Sequence, residues 1–315
     1  MGRVRTGSTD RYGPLAELVA GGDVLVLSGA GLSTESGIPD YRGPSGLARR
    51  HTPMTYQTFV GDPAARRRYW ARSHLGWRVV AGAAPNAGHR AVAELQRRGL
   101  VSGIITQNVD GLHQAAGAYS VVELHGNLGR VICLDCGDVT SREALDHRLR
   151  AANPGFAAGS AAVNPDGDVE LSDEAVRDFR TVDCLACGGG MLKPDVVFFG
   201  ESVPAHRVRT CFDLVERARL LVVLGSSLAV LSGRRFVLRA AKLDIPVIII
   251  NQGPTRGDAY ASLTVDAPLG AVLPEVVRLI DARAALPWPR PARRAAGPAD
   301  TAVTMPAGAG SVRAG

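Results

Sequence analysis

A doubly wound α/β fold with a smaller metal-binding module is what this sequence predicts, and three observations predict it. Between Asp23 and about Val277, short apolar runs alternate with helical stretches, the pattern of a parallel sheet covered on both faces. Six of those runs end directly, or within a residue or so, in polar or glycine-rich clusters, and an open parallel sheet binds its ligands at such ends. Two Cys-x-x-Cys pairs lie between the third run and the fourth.

Residues 1–20 read as a lead-in and a helix. The expected strands are Val24–Leu27, Ile104–Thr106, Val121–Leu124, Val196–Phe199, Leu220–Leu224 and Val247–Ile250. All are short, continuous and rich in Val, Ile and Leu, as strands buried on both faces should be. Their ends carry Gly29-Ala30-Gly31, Gln107-Asn108-Val109-Asp110, His125-Gly126, Gly200-Glu201, Gly225-Ser226-Ser227 and Asn251-Gln252-Gly253. Gathered at one edge of a sheet, these six would build one continuous site. Cys211 lies in a helical stretch and is expected in the core. Beyond about Ala284 the sequence turns to Ala, Gly, Pro and Arg without periodicity, and residues 284–315 are expected to be disordered.

Composition bounds the function. The 315 residues suffice for one large α/β domain, or for one with a smaller companion. Hydrophobic residues are 46% and charged residues 21%, which is ordinary for a globular protein. No stretch approaches the ~20 apolar residues that span a bilayer, and Met1–Leu15 lacks the apolar centre of a secretory signal. No membrane association and a cytoplasmic location are therefore expected. Met1-Gly2 with Thr6 fits the N-myristoylation pattern, but so short a motif carries no expectation. The net charge of +6 rests partly on Arg66–Arg68 and on Arg290, Arg293 and Arg294. No aromatic residues interleave these clusters, so no specific nucleic-acid partner is expected.

The first strand leads through Ser28 into Gly29-Ala30-Gly31-Leu32-Ser33. Glycines there permit a tight turn and let backbone amides approach a pyrophosphate, so the sheet is read as Rossmann-like. Thr34 stands where a third glycine is usual. The run Ser36–Gly43 makes poor helix and poor strand, which suits a loop that closes over a ligand.

Cys133-x-x-Cys136 and Cys184-x-x-Cys187 are two thiolate knuckles, together a complete tetrahedral Zn²⁺ site. Gly137 and Gly188 follow them and suit the tight turn a knuckle needs. Two disulfides or unrelated buried cysteines are the alternatives, the disulfides disfavoured in a chain without a secretory signal. Four thiolates leave no open position, so the zinc is structural. Between the pairs lie 47 residues, more than a compact ribbon needs. Two helices are expected in that insert, starting near Ser141 and Ser172.

Gly29–Ser33 with Ser36-Gly37-Ile38-Pro39-Asp40-Tyr41-Arg42-Gly43 resembles the NAD-binding signature of the sirtuins. Thr106–His113, Glu123-Leu124-His125-Gly126, Lys193–Glu201 and Gly225–Leu228 resemble their further signatures. The match runs in unbroken order from about Asp23 to Val277. The long insert, the Pro165–Asp168 turn and Tyr69–Arg72 resemble class II sirtuins, the group that includes mitochondrial sirtuin four. This resemblance implies a catalytic domain over residues 1–283, with a zinc module at about 126–193 and a small helical module at about 44–90.

What the resemblance implies about chemistry is specific. An acyl-lysine carbonyl oxygen attacks the nicotinamide ribose of NAD and nicotinamide leaves. A ribose hydroxyl then attacks the resulting imidate with His125 as general base, and O-acyl-ADP-ribose is released. Asn108 and Asp110, with Gln107 and Val109 alongside, would bind nicotinamide and its ribose. Gly29, Ala30, Gly31, Ser33, Asp40, Tyr41 and Arg42 would hold phosphate and ribose. Gly225, Ser226, Ser227, Asn251, Gln252, Gly253 and the backbone near Leu269 would hold the adenosine half. Acyl-lysine protein substrates would add as a strand between Phe198–Glu201 and Leu228–Leu231. Tyr69 and Arg72 have the form of the pair that acidic-acyl sirtuins present to a carboxylate, about one helical turn out of place, so no such specificity is expected. A protein ADP-ribosyltransferase on the same NAD site and a non-catalytic NAD-sensing scaffold are the rival readings. The sequence leaves the acyl group and the oligomeric state open.

Overall fold

The computed structural model describes residues 11–41, 53–157, 164 and 167–284. Arg42, Pro165, Asp166 and the tail beyond Ala284 lie outside the described residues.

Six strands form one all-parallel sheet: β1 Val24–Ser28, β2 Val101–Thr106, β3 Val121–Glu123, β7 Leu220–Leu224, β8 Val247–Ile250 and β9 Leu263–Val265. Their order is β3-β2-β1-β7-β8-β9. The chain winds outward to one side from β1 and to the other from β7, so the direction reverses between these two neighbours. A crevice opens at the strand ends at such a reversal. Alternate residues of β1 face opposite layers. Val24 and Val26 pack with Leu15, Val92 and Leu273, from the helices Gly13–Ala20, Ala87–Arg97 and Leu269–Ala284. Leu25 and Leu27 pack with Cys211, Val215 and Phe236, from the helices Ala205–Arg217 and Leu231–Lys242. This is the doubly wound arrangement expected, with Cys211 in the core.

A second sheet holds β4 Gly126–Cys133, β5 Val139–Ser141 and β6 Leu192–Val196 in the antiparallel order β5-β4-β6. Its core also takes Phe59, Tyr69 and Trp70, from the helices Tyr56–Gly61 and Pro63–Ala81. The two expected insert helices are Arg142–Ala152 and Asp173–Val176. Ser141 and Ser172 cap them, accepting from the amides of Ala144 and Ala175. Arg142, 1% exposed, lies over the rings of Trp70 and Trp77 at 5.3 and 5.4 Å, while Asp146 pairs with His74 at 2.6 Å. The insert is thus bound to the helix Pro63–Ala81 through buried charge.

Two strand expectations change. Val196–Phe199 is no strand of the parallel sheet: β6 ends at Val196 and pairs antiparallel with β4. Pro194 lacks an N–H and so belongs on an edge strand, and β6 is an edge. A short apolar run does not reveal which sheet it joins. Nor did the pattern reveal β9, whose three residues are half-buried or exposed at the sheet's outer edge.

Candidate active site

A cleft of about 1220 Å³ opens over the strand ends between β1 and β7. It is lined by Gly29, Ala30, Gly31, Ser33, Asp40, Tyr41, Gln107, Asn108, Val109, Asp110, His125, Gly225, Ser226, Ser227, Asn251, Gln252 and Gly253. All the described positions read from the sequence as catalytic or NAD-binding converge here except Leu269. That residue begins the helix Leu269–Ala284 with its side chain 5% exposed in the core. The amide next to it, of Gly270, donates to the Glu35 carboxylate at 2.9 Å.

The floor of the cleft is two loops in backbone contact. After β1 the chain forms two 3-10 turns, Ala30–Leu32 and Thr34–Ser36, rather than a long helix. The Gly31 amide donates to the Gly225 carbonyl at 2.8 Å. A Cβ at Gly31 would stand 2.9 Å from Gly225 Cα, and one at Gly225 would stand 2.5 Å from the Leu32 amide nitrogen. The glycines are therefore required by this close approach of two chains, which leaves a shallow backbone cradle of the kind phosphates occupy.

Above it a polar network fixes the side chains. The Asn108 amide nitrogen donates to Gly29 O and to Ser33 Oγ, each at 3.0 Å. Ser33 Oγ donates to Asp110 at 2.7 Å, and the carboxylate's other oxygen accepts from the Leu112 amide at 2.9 Å. Burial raises the Asp110 pKa against these hydrogen bonds, which lower it. Gln107 Nε2 donates to Ser226 Oγ at 2.8 Å.

His125 is held at both nitrogens. Nδ1 lies 3.0 Å from the Gln107 carbonyl, and Nε2 lies 2.9 Å from Ser232 Oγ. A carbonyl can only accept, so Nδ1 carries the proton and the Nε2 lone pair accepts from Ser232. Burial, with Arg235 and Arg207 adding to it, lowers the pKa to about 4. The imidazole is neutral, with its basic atom toward the cleft's serine. Sequence reasoning missed Ser232, which sits at the start of the helix Leu231–Lys242 with nothing local to mark it.

Part of the cleft is apolar, lined by Ile38, Met54, Tyr69, Val80, Leu128 and Phe198, which belong to one packed cluster. Arg72 is turned into the insert, with its Nε 3.2 Å from Asp168 and a terminal nitrogen 2.6 Å from Glu170. The segments 197–201 and 228–230 border the cleft. Phe199 and the adjoining Leu231 are exposed beside them.

The four cysteines form one cluster, all sulfurs lying within 4.8 Å of one another. Cys133 and Cys187 are 3.8 Å apart, as are Cys136 and Cys184. Zn–S bonds of about 2.3 Å in a tetrahedron put sulfurs about 3.8 Å apart, so the donor set fits zinc. The knuckles repeat one geometry: Gly137 N donates to Cys133 O and Gly188 N to Cys184 O, both at 3.0 Å. Both glycines have left-handed φ, 76° and 71°. Backbone amides of Cys136 and Asp135 point at the Cys133 sulfur and lower its pKa.

Known proteins share this arrangement. A family model described as the Sir2 family matches residues 29–232. The chain is 60% identical over 270 residues to an NAD-dependent protein deacetylase of Streptomyces coelicolor, covering 86% of this chain and 90% of that protein. It is 46% identical over 263 residues to the bovine mitochondrial NAD-dependent protein lipoamidase sirtuin-4, covering 82% of each. A solved Sir2 structure with a p53 peptide and NAD is 28% identical, covers 87% of this chain and 98% of that one, and superposes with a TM-score of 0.67. A matching profile over most of the cleft and relatives at this identity leave one assignment: the chain belongs to the Sir2 family.

Proposed function

We propose that the acyl groups this chain removes are uncharged and extend beyond acetyl. The reaction is NAD-dependent protein deacylation, with a structural zinc held by Cys133, Cys136, Cys184 and Cys187. The supporting observation is the apolar part of the cleft. Ile38, Met54, Val80, Leu128 and Phe198 line it, and Arg72, the cation of the Tyr-x-x-Arg pair, is engaged by Asp168 and Glu170. A carboxylate-tipped acyl group would lose hydration there without gaining a partner. The bovine relative's name records a lipoamidase, an activity on an uncharged chain, which supports the same reading.

Residue roles follow the geometry. Asn108 and Asp110 would orient the nicotinamide end of NAD, and the Gly31–Gly225 cradle its phosphates. NAD supplies the ribose carbon that the acyl oxygen attacks. His125 would take a ribose hydroxyl proton at Nε2, displacing Ser232, while the Gln107 carbonyl keeps Nδ1 protonated. The segments 197–201 and 228–231 would receive the peptide backbone. A cytoplasmic setting belongs to this reading too, supported by four cysteines kept as thiols in one cluster. The test is a panel of peptides carrying acetyl, hexanoyl, lipoyl and succinyl lysine, with O-acyl-ADP-ribose followed by mass spectrometry. The expected order of kcat/KM places hexanoyl or lipoyl first and succinyl last. Succinyl removal faster than hexanoyl would overturn the proposal.

A further inference from the structure

Beneath the cleft lie two histidines that the chemistry above does not use. His89 is 0% and His113 2% exposed, and their rings meet edge to face at 5.2 Å between centroids. One ring nitrogen of each is buried without a hydrogen-bond partner among the described residues, Nε2 of His89 and Nδ1 of His113. The other nitrogens are engaged. His89 Nδ1 accepts from the Asn86 amide at 3.4 Å, and His113 Nε2 lies 2.9 Å from Ser28 Oγ. Ser28 Oγ in turn contacts Thr106 Oγ1 at 2.9 Å, and that oxygen accepts from the Asn108 amide at 3.1 Å.

The protons can be placed by elimination. A backbone amide only donates, so His89 Nδ1 is bare and the neutral ring carries its proton on Nε2. Ser28 Oγ donates to Thr106 Oγ1 and so accepts from His113, whose proton is therefore on Nε2 and whose Nδ1 is bare. Burial keeps both rings neutral, lowering His89 to about 4 and His113 to about 3. The links on either side of the ring pair point one way, from Asn86 into His89 and from His113 to the Thr106 oxygen that holds the Asn108 backbone amide. The starting point is also tied to the loop after β1, since Asn86 Nδ2 donates to Leu32 O and Ser36 Oγ at 2.7 and 3.1 Å.

We propose that His89 and His113 are positioning residues, a directional imidazole pair that sets Asn108 through Ser28 and Thr106. The proposal rests on the reading that Asn108 faces the nicotinamide. The Nε2–H of His89 and the bare Nδ1 of His113 are a complementary donor and acceptor on rings whose centroids lie 5.2 Å apart, so a hydrogen bond between them would close the chain and satisfy both orphaned atoms. The pair then costs no unpaired polar group, which explains two imidazoles in a place that apolar side chains could fill.

The test measures nicotinamide–NAD exchange, the step before His125 acts, with melting temperature followed in parallel. His113→Leu should lower kcat for exchange about tenfold, within the range a small misplacement costs, with KM for NAD changed less than about twofold. His113→Gln, whose amide nitrogen can still donate to Ser28, should restore most of the rate. Thr106→Val keeps both imidazoles and should reproduce the loss if the leucine variant fails to fold. In an Asn108→Ala background each substitution should cost less than about twofold, because groups acting through one residue are not additive. Losses that multiply in full with Asn108→Ala would overturn the proposal. So would a glutamine variant no better than leucine, or a rate that falls only as far as the melting temperature does. If Asn108→Ala itself leaves exchange unchanged, the reading of the nicotinamide site fails, and the positioning proposal with it.

Discussion

In the six-stranded sheet every residue of β1, β7 and β8 is buried, whereas in the three-stranded sheet all three residues of β5 are exposed or half-buried. The first sheet is stabilised by area: each fully buried Val, Leu or Ile side chain contributes about 1.5–3 kcal/mol, and helices cover both faces. The second has a core of its own, with Phe59, Tyr69, Trp70, Leu128 and Val131 buried in it, and adds point chemistry to it. Four thiols converge to within bonding reach of one ion, and Arg142, Asp146 and His74 form a buried cluster against Trp70 and Trp77. A sheet held by area tolerates the loss of one atom. A module that adds an ion and a few buried charges to its core is more sensitive to such a loss, and its failure should reach the cleft, because Gly126 and β6 carry the chain to and from His125 and Phe198.

Removing one thiolate is the sharpest way to break that contrast. Cys184→Ala should lower the zinc content from about one per chain to none, because binding energy in such sites is folding energy, about 10–16 kcal/mol in small zinc peptides. Hydrogen exchange should then show β4, β5 and β6 losing protection while β1, β7 and β8 keep theirs, with deacylation abolished. Uniform loss across both sheets would show that the large sheet depends on the metal as much as the small one.

His125→Ala probes the junction rather than either sheet. Among the described residues the side chain hydrogen-bonds only to the Gln107 carbonyl and Ser232, so folding and NAD affinity should change little. Loss of a positioned general base costs about 10²–10⁴-fold in rate, and deacylation should fall by that order. Acyl-peptide loss, calorimetry with NAD and circular dichroism together separate the three effects. A variant that deacylates at the wild-type rate would remove His125 from the chemistry.

The two regions were also legible to different degrees. The thiolate spacing and the strand-end clusters identify their residues outright, because four cysteines, or an Asn and an Asp after a strand, leave few structural alternatives. The partners that tune them are not visible in the same way. Ser232 reaches His125 from 107 positions away, and Ser28 and Thr106 read as ordinary strand ends until the sheet places them side by side. The insert illustrates the same limit. Its capped helices follow from Ser141 and Ser172, but the Arg72 pairing with Asp168 and Glu170 is a tertiary fact. Likewise Gly167 lies so near Leu128 and Val80 that a Cβ would stand 2.9 and 3.2 Å from them. No local pattern says that a loop between zinc ligands will brace the wall of the cleft.

Acid should weaken both regions together. Burial lowers His89 and His125 to about 4 and His113 to about 3, and lowers His74 despite its contact with Asp146. The unfolded chain, with imidazoles near 6.5, then binds more protons than the folded one at mildly acid pH. Stability is therefore full above about pH 6.5 and falls as pH drops toward 4, each group adding up to about 1.4 kcal/mol per pH unit to the slope. Asp110, raised by burial, works in the opposite direction. Urea midpoints taken between pH 8 and 5 should be flat at first and then decline. A midpoint that rises as pH falls through 6 would mean that these imidazoles are charged in the folded protein.

The fifth cysteine offers the mildest and most discriminating comparison. Cys211 lies in the helix Ala205–Arg217, 0% exposed in the core under the parallel sheet, and burial pushes its thiol up to about 12. It is the same residue type as the metal ligands, placed in the region held by area. It should behave as a small apolar side chain: a thiol this reluctant to ionise is neither a nucleophile nor a ligand. Cys211→Ala removes one sulfur from a close-packed site, so the expected cost is about 1 kcal/mol, the scale of a single deleted methylene with its residual cavity. Zinc content should stay at its wild-type value, and deacylation should be unaltered below the melting transition. Alkylation of the folded protein by iodoacetamide should leave Cys211 unmodified until urea unfolds the large sheet. If Cys211→Ala instead lowers zinc content or turnover, the parallel sheet and the zinc module are not the separable regions that their packing indicates.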